Sequence, residues 1–260
     1  MIKKIIVIII TTFTLVVNSH AGSDGELILK KNEPSEIKDC SETFNKASFA
    51  LNQGLDKVIF KPVASVYRLM PSPVKTGVSN SLNNLGNLVT IPNNLLQGEF
   101  ALAGLNSGRF VINTTVGILG LMDVAQHLGF PDYEKEDYGQ SLAKFGIGPG
   151  CYIVLPVLGP STVRDAAGSL VSVMGGDAWY NVTVKNDTQY FSDIDYYSSR
   201  VTSGVDFRAK NYDSLNNLEK NSLDFYASVK SLYLQDRQQK ILNTRKIVNT
   251  QNDSDWEEFN

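Results

Sequence analysis

The sequence predicts an all-α protein that lies against a membrane without crossing it. Three observations carry that expectation. Apolar residues recur at helical spacing through most of the chain after residue 39. The stretch 99–125 is apolar on almost every side, and a helix of that kind is buried in protein or in lipid. The run CYIVLPVL at 151–158 carries no charge and is bounded by Gly146, Gly148, Pro149 and Gly150 before it and by Gly159 and Pro160 after it. For 260 residues this is more apolar surface than one core needs, and the surplus favours membrane contact.

Composition narrows the function classes. The length allows one ordinary domain or two small ones. A net charge of −3 offers no basic surface for phosphates, so no nucleic-acid partner is expected. At the N-terminus Lys3 and Lys4 precede an apolar run from Ile5 to Val17, and Ser19 and Ala21 place small residues at a cleavage site. This reads as a secretory signal peptide over 1–21, too short to span a bilayer. Losing its two lysines takes the mature chain from −3 to about −5. No cysteine closely follows the apolar run, so no lipidation site is evident, and no later run has transmembrane length.

Chemistry-bearing residues are few. Cys40 and Cys151 could pair in an oxidising compartment, but their spacing does not decide it. After cleavage His127 is the one histidine, which leaves too few ligands for a His/Cys metal cluster. A serine triad through His127 lacks the G-x-S-x-G elbow. Gly146, Gly148 and Gly150 invite a nucleotide-loop reading, but Cys151 occupies the third glycine position of G-x-G-x-x-G. The expectation is no catalytic residue, no metal, no cofactor and no enzyme.

The elements follow in order. Residues 22–38 read as a flexible leader. Asp39 with Glu42 three residues on fits a capping box, opening a helix whose apolar face is Phe44, Ala47, Leu51, Leu55 and Val58. Asn45, Lys46, Asn52 and Gln53 fill the other face. Pro62 suits the first turn of a short helix ending before Pro71, and Pro73 starts the next. There Val74, Val78, Leu82 and Leu85 share one side, while Ser79, Asn80, Asn83, Asn84 and Asn87 form a polar face without charge. Exposed helices normally carry Glu and Lys, so this face suits either a water-filled passage or a plain surface.

A turn is expected at Pro92 to Gly98. A helix then runs to Ala125, with Glu99, Arg109 and Asp123 its only charges and Gly104, Gly108, Gly117 and Gly120 allowing close packing. Residues 134–137 read as a solvated acidic loop. The 151–158 run is an extended loop or hairpin; Pro156 bars it from the centre of a sheet, leaving a core-covering segment or a finger in lipid. Thr162 with Asp165 caps a helix to about Met174, closed by Gly175, Gly176 and Asp177. Trp179 and Tyr180 suit a membrane interface or a core. Residues 193–235 read as two water-facing helices and 236–260 as a disordered tail.

Five blocks together resemble the MlaA/VacJ family of outer-membrane proteins: ETFNKASFALNQGLD at 42–56, KPVASVYRLMPSPVKTGVSNSLNNL at 61–85, GRFVINTTVGILGLMDVA at 108–125, YGQSLAKFGIGPGCYIVLPVLGPSTVRDAAG at 138–168 and SLDFYASVKSLYLQDR at 222–237. The resemblance implies a family domain over 39–235, with helices ringed in the inner leaflet of the Gram-negative outer membrane around an amphipathic channel. It implies removal of phospholipid from the outer leaflet, delivery to a periplasmic lipid-carrier protein, and association with a trimeric porin. In those terms Gly146, Gly148, Pro149, Gly150, Tyr152, Ile153, Val154, Leu155, Pro156, Val157, Leu158 and Gly159 make a hairpin gate beside the path of the tails. Ser79, Asn80, Asn83, Asn84 and Asn87 are the candidate face for head groups. The rival is a porin-associated scaffold without transport.

Three departures follow from the same resemblance. Members of the family often carry a lipid-modified cysteine after the signal, so anchoring here would fall on the apolar helices. Lys46 stands where the family has arginine. Cys151 stands where a proline or another residue is expected, which would loosen the hairpin.

Overall fold

A computed structural model describes residues 37–181 and 192–242. The expected signal peptide, the leader up to residue 36 and the tail beyond 242 lie outside the described residues. Helix α1, Glu42–Leu55, starts at Ser41 with no side-chain cap bond. Asp39 was expected to cap it. Instead Asp39 forms a parallel β-bridge with Tyr152, and its carboxylate accepts from Asn45 Nδ2 at 2.7 Å and from the Tyr226 hydroxyl. The helical run does not stop before Pro62. It widens into a π turn at Asp56–Phe60, where Lys61 N–H donates to the Asp56 carbonyl five residues back, and continues as α2, Lys61–Arg68.

Helix α3, Ser72–Leu96, is 25 residues long and passes through Pro92, where a turn was expected. A proline inside a helix costs about 3 kcal/mol through its missing donor and its ring clash. Here the helix is held past it by polar bonds on both sides of the proline. Asn93 Nδ2 donates to the Val89 carbonyl at 2.8 Å, and Thr90 Oγ1 accepts from Glu136 N–H at 3.2 Å. Helix α4, Phe100–Thr115, ends ten residues before the expected Ala125. Residues 116–122 form a loop with Ile118 at φ 53° and Leu119 at φ 55°, and the short α5 is Val124–His127.

Helix α6, Tyr138–Lys144, leads into strands β1, Tyr152–Leu155, and β2, Gly159–Thr162. These pair antiparallel, with Tyr152 opposite Thr162 and Leu155 opposite Gly159. Thr162 caps α7, Val163–Val171, by accepting from Asp165 N–H at 3.2 Å, as its sequence position predicts. A π turn at Ser172–Gly176 and the single turn α8, Ala178–Tyr180, follow. The C-terminal part holds three helices where two were expected: α9, Asp193–Lys210, α10, Tyr212–Asn221, and α11, Phe225–Leu242. The last of these runs past Asp236, where the sequence reading starts the tail.

Polarity is inverted across much of the fold. The apolar face expected of α1 points outward, with Phe44, Leu51 and Val58 exposed (Val58 at 76%), while Asn45 and Ser48 are buried. On α3, Asn84, Asn87, Thr90, Asn93 and Asn94 are all buried. Among the described residues, buried apolar side chains gather in two small clusters. One joins Ala64 and Tyr67 of α2 to Val205 and Ala209 of α9; the other joins Tyr152 and Val154 of β1 to Tyr226 of α11. Scattered exposed hydrophobics are ordinary, but buried polar residues beneath a broad apolar exterior are informative. No helix among the described residues is long and apolar enough to cross a membrane.

Candidate functional site: a clamped apolar hairpin and a buried amide face

The hairpin owes its shape to backbone angles that few residues adopt. Gly146, Gly150 and Gly159 have φ of 83°, 68° and 86°, the region glycine enters without a Cβ penalty. Gly148 is exposed with open space around it, and Pro149 is half-buried with its carbonyl accepting from Arg164 N–H at 3.2 Å. The period-two alternation then splits the apolar run. Tyr152 and Val154 are fully buried, and Ile153 and Leu155 are half-buried. Pro156, Val157 and Leu158 form the exposed tip, with Leu158 at 75% exposure and Val157 at φ 67°.

The free edge of β1 is closed by side chains. Asn45 and Asn52 stand seven residues apart on α1, two turns along one face. Asn45 Oδ1 accepts from Val154 N–H at 2.8 Å while its Nδ2 donates to the Tyr152 carbonyl at 3.0 Å. Asn52 Nδ2 donates to the Leu155 carbonyl at 2.9 Å and its Oδ1 accepts from Val157 N–H at 2.6 Å. Two primary amides therefore do for β1 what a third strand would. The disulfide Cys40–Cys151, with 5.6 Å between Cα atoms, settles the pairing that spacing left open. With Tyr152 N–H donating to the Lys38 carbonyl at 2.9 Å, it fixes the hairpin's base. The expected loosening by Cys151 is thus reversed, and the tip of the predicted gate is itself held at Val157 by Asn52.

Beside the hairpin, Arg237 of α11 reaches both Asp137, at 2.6 Å, and Asp165, at 2.9 Å. Tyr233 donates to Asp165 at 2.7 Å. Burial acts to raise the Asp137 pKa, but the guanidinium of Arg237 outweighs it and holds the carboxyl at about 2. The expected solvated loop at 134–137 is therefore corrected. Asp137 caps α6, and Glu136 is buried, accepting from Gln97 Nε2 at 3.1 Å. Trp179, read as interface or core, is buried, with Nε1 donating to Ser199 at 3.1 Å.

The five polar residues of α3 do not act as one open face. Ser79 donates to Asp206 of α9 at 3.0 Å, a carboxylate that also takes the Tyr67 hydroxyl and the Lys210 ammonium. Asn80 Nδ2 donates to the Leu121 carbonyl at 3.2 Å and holds the 116–122 loop against α3, while Asn84 Nδ2 donates to Thr114 Oγ1 at 2.8 Å and ties the end of α4 to it. Asn83 is exposed. Asn87 donates weakly to the Asn83 carbonyl at 3.4 Å. The Oδ1 atoms of Asn84 and Asn87 are buried with no partner among the described residues. A buried acceptor left unmatched costs about 1–3 kcal/mol, so these two carbonyls are sites that a water or a polar ligand group would satisfy.

The 116–122 loop is tied by charge. Arg109 pairs with Asp123 at 2.5 Å and donates to the Pro131 carbonyl, and Asn113 Nδ2 donates to Asp123 at 2.9 Å. Gly120, at φ 86°, lies so close to α3 that a Cβ there would stand 2.6 Å from that of Asn84. Thr90, Asn93, Asn94 and Asn106 extend the amide and hydroxyl network and were not anticipated; for Asn93 and Asn94 the reason is the turn expected from Pro92. The continuing spacing of Asn83, Asn87, Thr90 and Asn94 along one helix side was the signal available. His127 is exposed at the end of α5.

Comparisons with known proteins agree with one another. A model of the MlaA lipoprotein family matches residues 37–240. An uncharacterised protein of Rickettsia bellii is 31% identical over 208 residues, 79% of this chain and 78% of that one. A Haemophilus influenzae protein named intermembrane phospholipid transport system lipoprotein MlaA is 31% identical over 219 residues, covering 82% of this chain and 83% of its own. A solved structure described as the structural basis for maintenance of bacterial outer membrane lipid asymmetry aligns with a TM-score of 0.65 at 30% identity, covering 78% of this chain and 99% of that one.

Proposed function

The chain belongs to the MlaA lipoprotein family, and from that premise we propose that it moves phospholipid between the outer membrane and the periplasm. In this reading it withdraws phospholipid from the outer leaflet and hands it to a soluble carrier, sitting in the inner leaflet with porin as its neighbour. The observation that carries the proposal is the inverted polarity, with amides and hydroxyls inside, large apolar side chains outside and no spanning helix among the described residues. Such a body gains stability by lying in one leaflet, where each buried CH₂ contributes about 0.8 kcal/mol. Both cysteines of the sequence are joined to each other, so attachment in this reading rests on the apolar exterior.

Passage needs two tracks and no covalent step. Asn84 and Asn87, with Thr90 beyond them, suit a head group, since each acceptor without a partner welcomes a donor. The tip at Val157 and Leu158 suits the tails, as a fixed lip whose base the amide clamp and the disulfide hold. Tail burial makes release into water unfavourable, which accounts for a carrier that shelters the lipid equally well. The test is outer-leaflet phospholipid in a deletion strain, with and without an intact copy. A rise that the intact copy reverses supports transport; an unchanged outer leaflet sinks it and favours the scaffold. Leu158→Asp should leave folding intact and abolish clearance.

A further inference from the structure

We propose that the Cys40–Cys151 bond is a site of thiol–disulfide exchange, opened and closed by a water-soluble dithiol oxidoreductase that enters at the Cys40 sulfur. The inference stands apart from the transport reading, because it concerns how the hairpin's base is held and not what passes beside it. The bond joins residues 111 apart in sequence, tying the turn before α1 to the residue that precedes β1.

The two sulfurs differ in access. Cys40 is exposed, with its Sγ at the surface 4.0 Å from the Lys38 carbonyl, whereas Cys151 is half-buried. The exposed neighbours of Cys40 in sequence are Lys38, Ser41, Glu42 and Thr43, all polar, and the apolar face of α1 begins only at Phe44. The bond therefore opens toward water. Exchange is governed by the sulfur that a thiolate can reach, and here that sulfur belongs to Cys40.

Opening the bond does not part the pair. Tyr152 N–H still donates to the Lys38 carbonyl at 2.9 Å, and Asp39 still bridges to Tyr152. Asp39 also accepts from Asn45 Nδ2 at 2.7 Å and from the Tyr226 hydroxyl. On the hairpin side the Cys151 carbonyl accepts from Val163 N–H at 3.0 Å. These bonds keep the two Cα atoms near their 5.6 Å separation, which is within disulfide reach. Each released thiol thus faces its partner at high effective concentration. Such a pair opens and recloses within the folded chain, and only the covalent part of the hold on the hairpin's base is lost.

The exchange balances between the two proteins. One thiolate of the partner's dithiol bonds to Cys40 Sγ as the Cys40–Cys151 bond breaks, and Cys151 leaves as a thiolate that takes up a proton. The partner's second thiolate then attacks its own sulfur in the mixed disulfide, which frees Cys40 and leaves the partner oxidised. Two electrons and two protons have passed to the cysteine pair. Closing is the reverse, with the partner's disulfide as the oxidant.

The experiment uses the full chain in detergent and two thiol probes, reduced glutathione and a dithiol oxidoreductase reduced to a single thiol as C-x-x-S. Freed cysteines are capped with a maleimide, and peptide mass spectrometry locates both adducts. Glutathione on Cys40 with maleimide on Cys151 should exceed the reverse by at least about tenfold. The opening rate should stay flat at low urea, because the native state is attacked. The C-x-x-S protein should give a stable species joined through Cys40. Full reduction with dithiothreitol should quicken deuterium exchange at 150–152 without loss of helical circular dichroism, and oxidised glutathione should reverse it. Capture mainly at Cys151, or an opening rate that climbs with urea along the slope of global unfolding, overturns the proposal. So does loss of helix on reduction, or opening by glutathione with no joined species from the C-x-x-S protein.

Discussion

The molecule presents two apolar projections, the hairpin tip at 156–158 and the loop at 116–122, and holds them by opposite means. Both expose large side chains, and both place non-glycine residues at left-handed φ: Val157 in one, Ile118 and Leu119 in the other. Neither projection carries a polar side chain that could fix its own position. The hairpin is fixed by two neutral amides and a disulfide, while the loop has one neutral amide, Asn80, and is flanked by the Arg109–Asp123 ion pair with Asn113 beside it. An apolar segment meant for lipid has nothing polar to spare for its own architecture, so its geometry is set by polar residues one helix away.

The largest expected effect comes from the loop. Arg109→Ala removes a buried guanidinium and leaves the half-buried Asp123 carboxylate without its cation, at a cost of about 3 kcal/mol, the lower end for a buried pair, and thermal unfolding in detergent should show it. Limited proteolysis should then cut within 116–122 before it cuts the hairpin. Cys40→Ser acts on the other projection, at about 2–4 kcal/mol for a bond spanning so much chain. Deuterium exchange should rise at the hairpin's base and stay unchanged at the loop. Smaller again, Asn52→Leu gives the exposed Val157 N–H to water and leaves the half-buried Leu155 carbonyl without its partner, about 1 kcal/mol. Exchange at the tip should quicken while Val154, still held by Asn45, stays protected. Equal responses of both projections to these variants would erase the distinction between them.

A further effect is pH-dependent and belongs to the hairpin side. Asp137 has a folded pKa of about 2, below the unfolded value of about 3.9. Its contribution is therefore complete above about pH 4 and is lost as pH falls through about 2. In Arg237→Gln, the hydrogen bonds from Gln140 are left to oppose burial at Asp137, and acid unfolding should shift to higher pH. An unmoved acid transition would mean that Asp137 and Arg237 do not hold this side of the hairpin.

Much of this architecture could be read from residues alone, and the misses share a cause. Glycines at 146, 150 and 159 and the Thr162–Asp165 cap marked the hairpin and α7, because turn and cap chemistry is local. The direction in which a helix faces is not local. On α1 the spacing of Phe44, Leu51 and Val58 was correct, but which side met protein depended on the surroundings, and Asn45 and Asn52, placed simply on the other face, are the clamp. Pro92 was taken as a break because its penalty is intrinsic, whereas the polar bonds that hold α3 through it come from other segments. The Cys40–Cys151 bond and the Arg109–Asp123 tie close over distances that spacing cannot measure.

The central claim is that the apolar exterior lies in a lipid leaflet, and spin-label accessibility tests it most directly. Val58→Cys, Leu119→Cys and Leu158→Cys, each labelled in vesicles with the native disulfide intact, would be compared with Lys220→Cys on α10. The account predicts that oxygen reaches the first three labels more readily than a water-soluble nickel complex, with the order reversed at position 220. Nickel access at positions 58, 119 and 158 equal to that at 220 would contradict it.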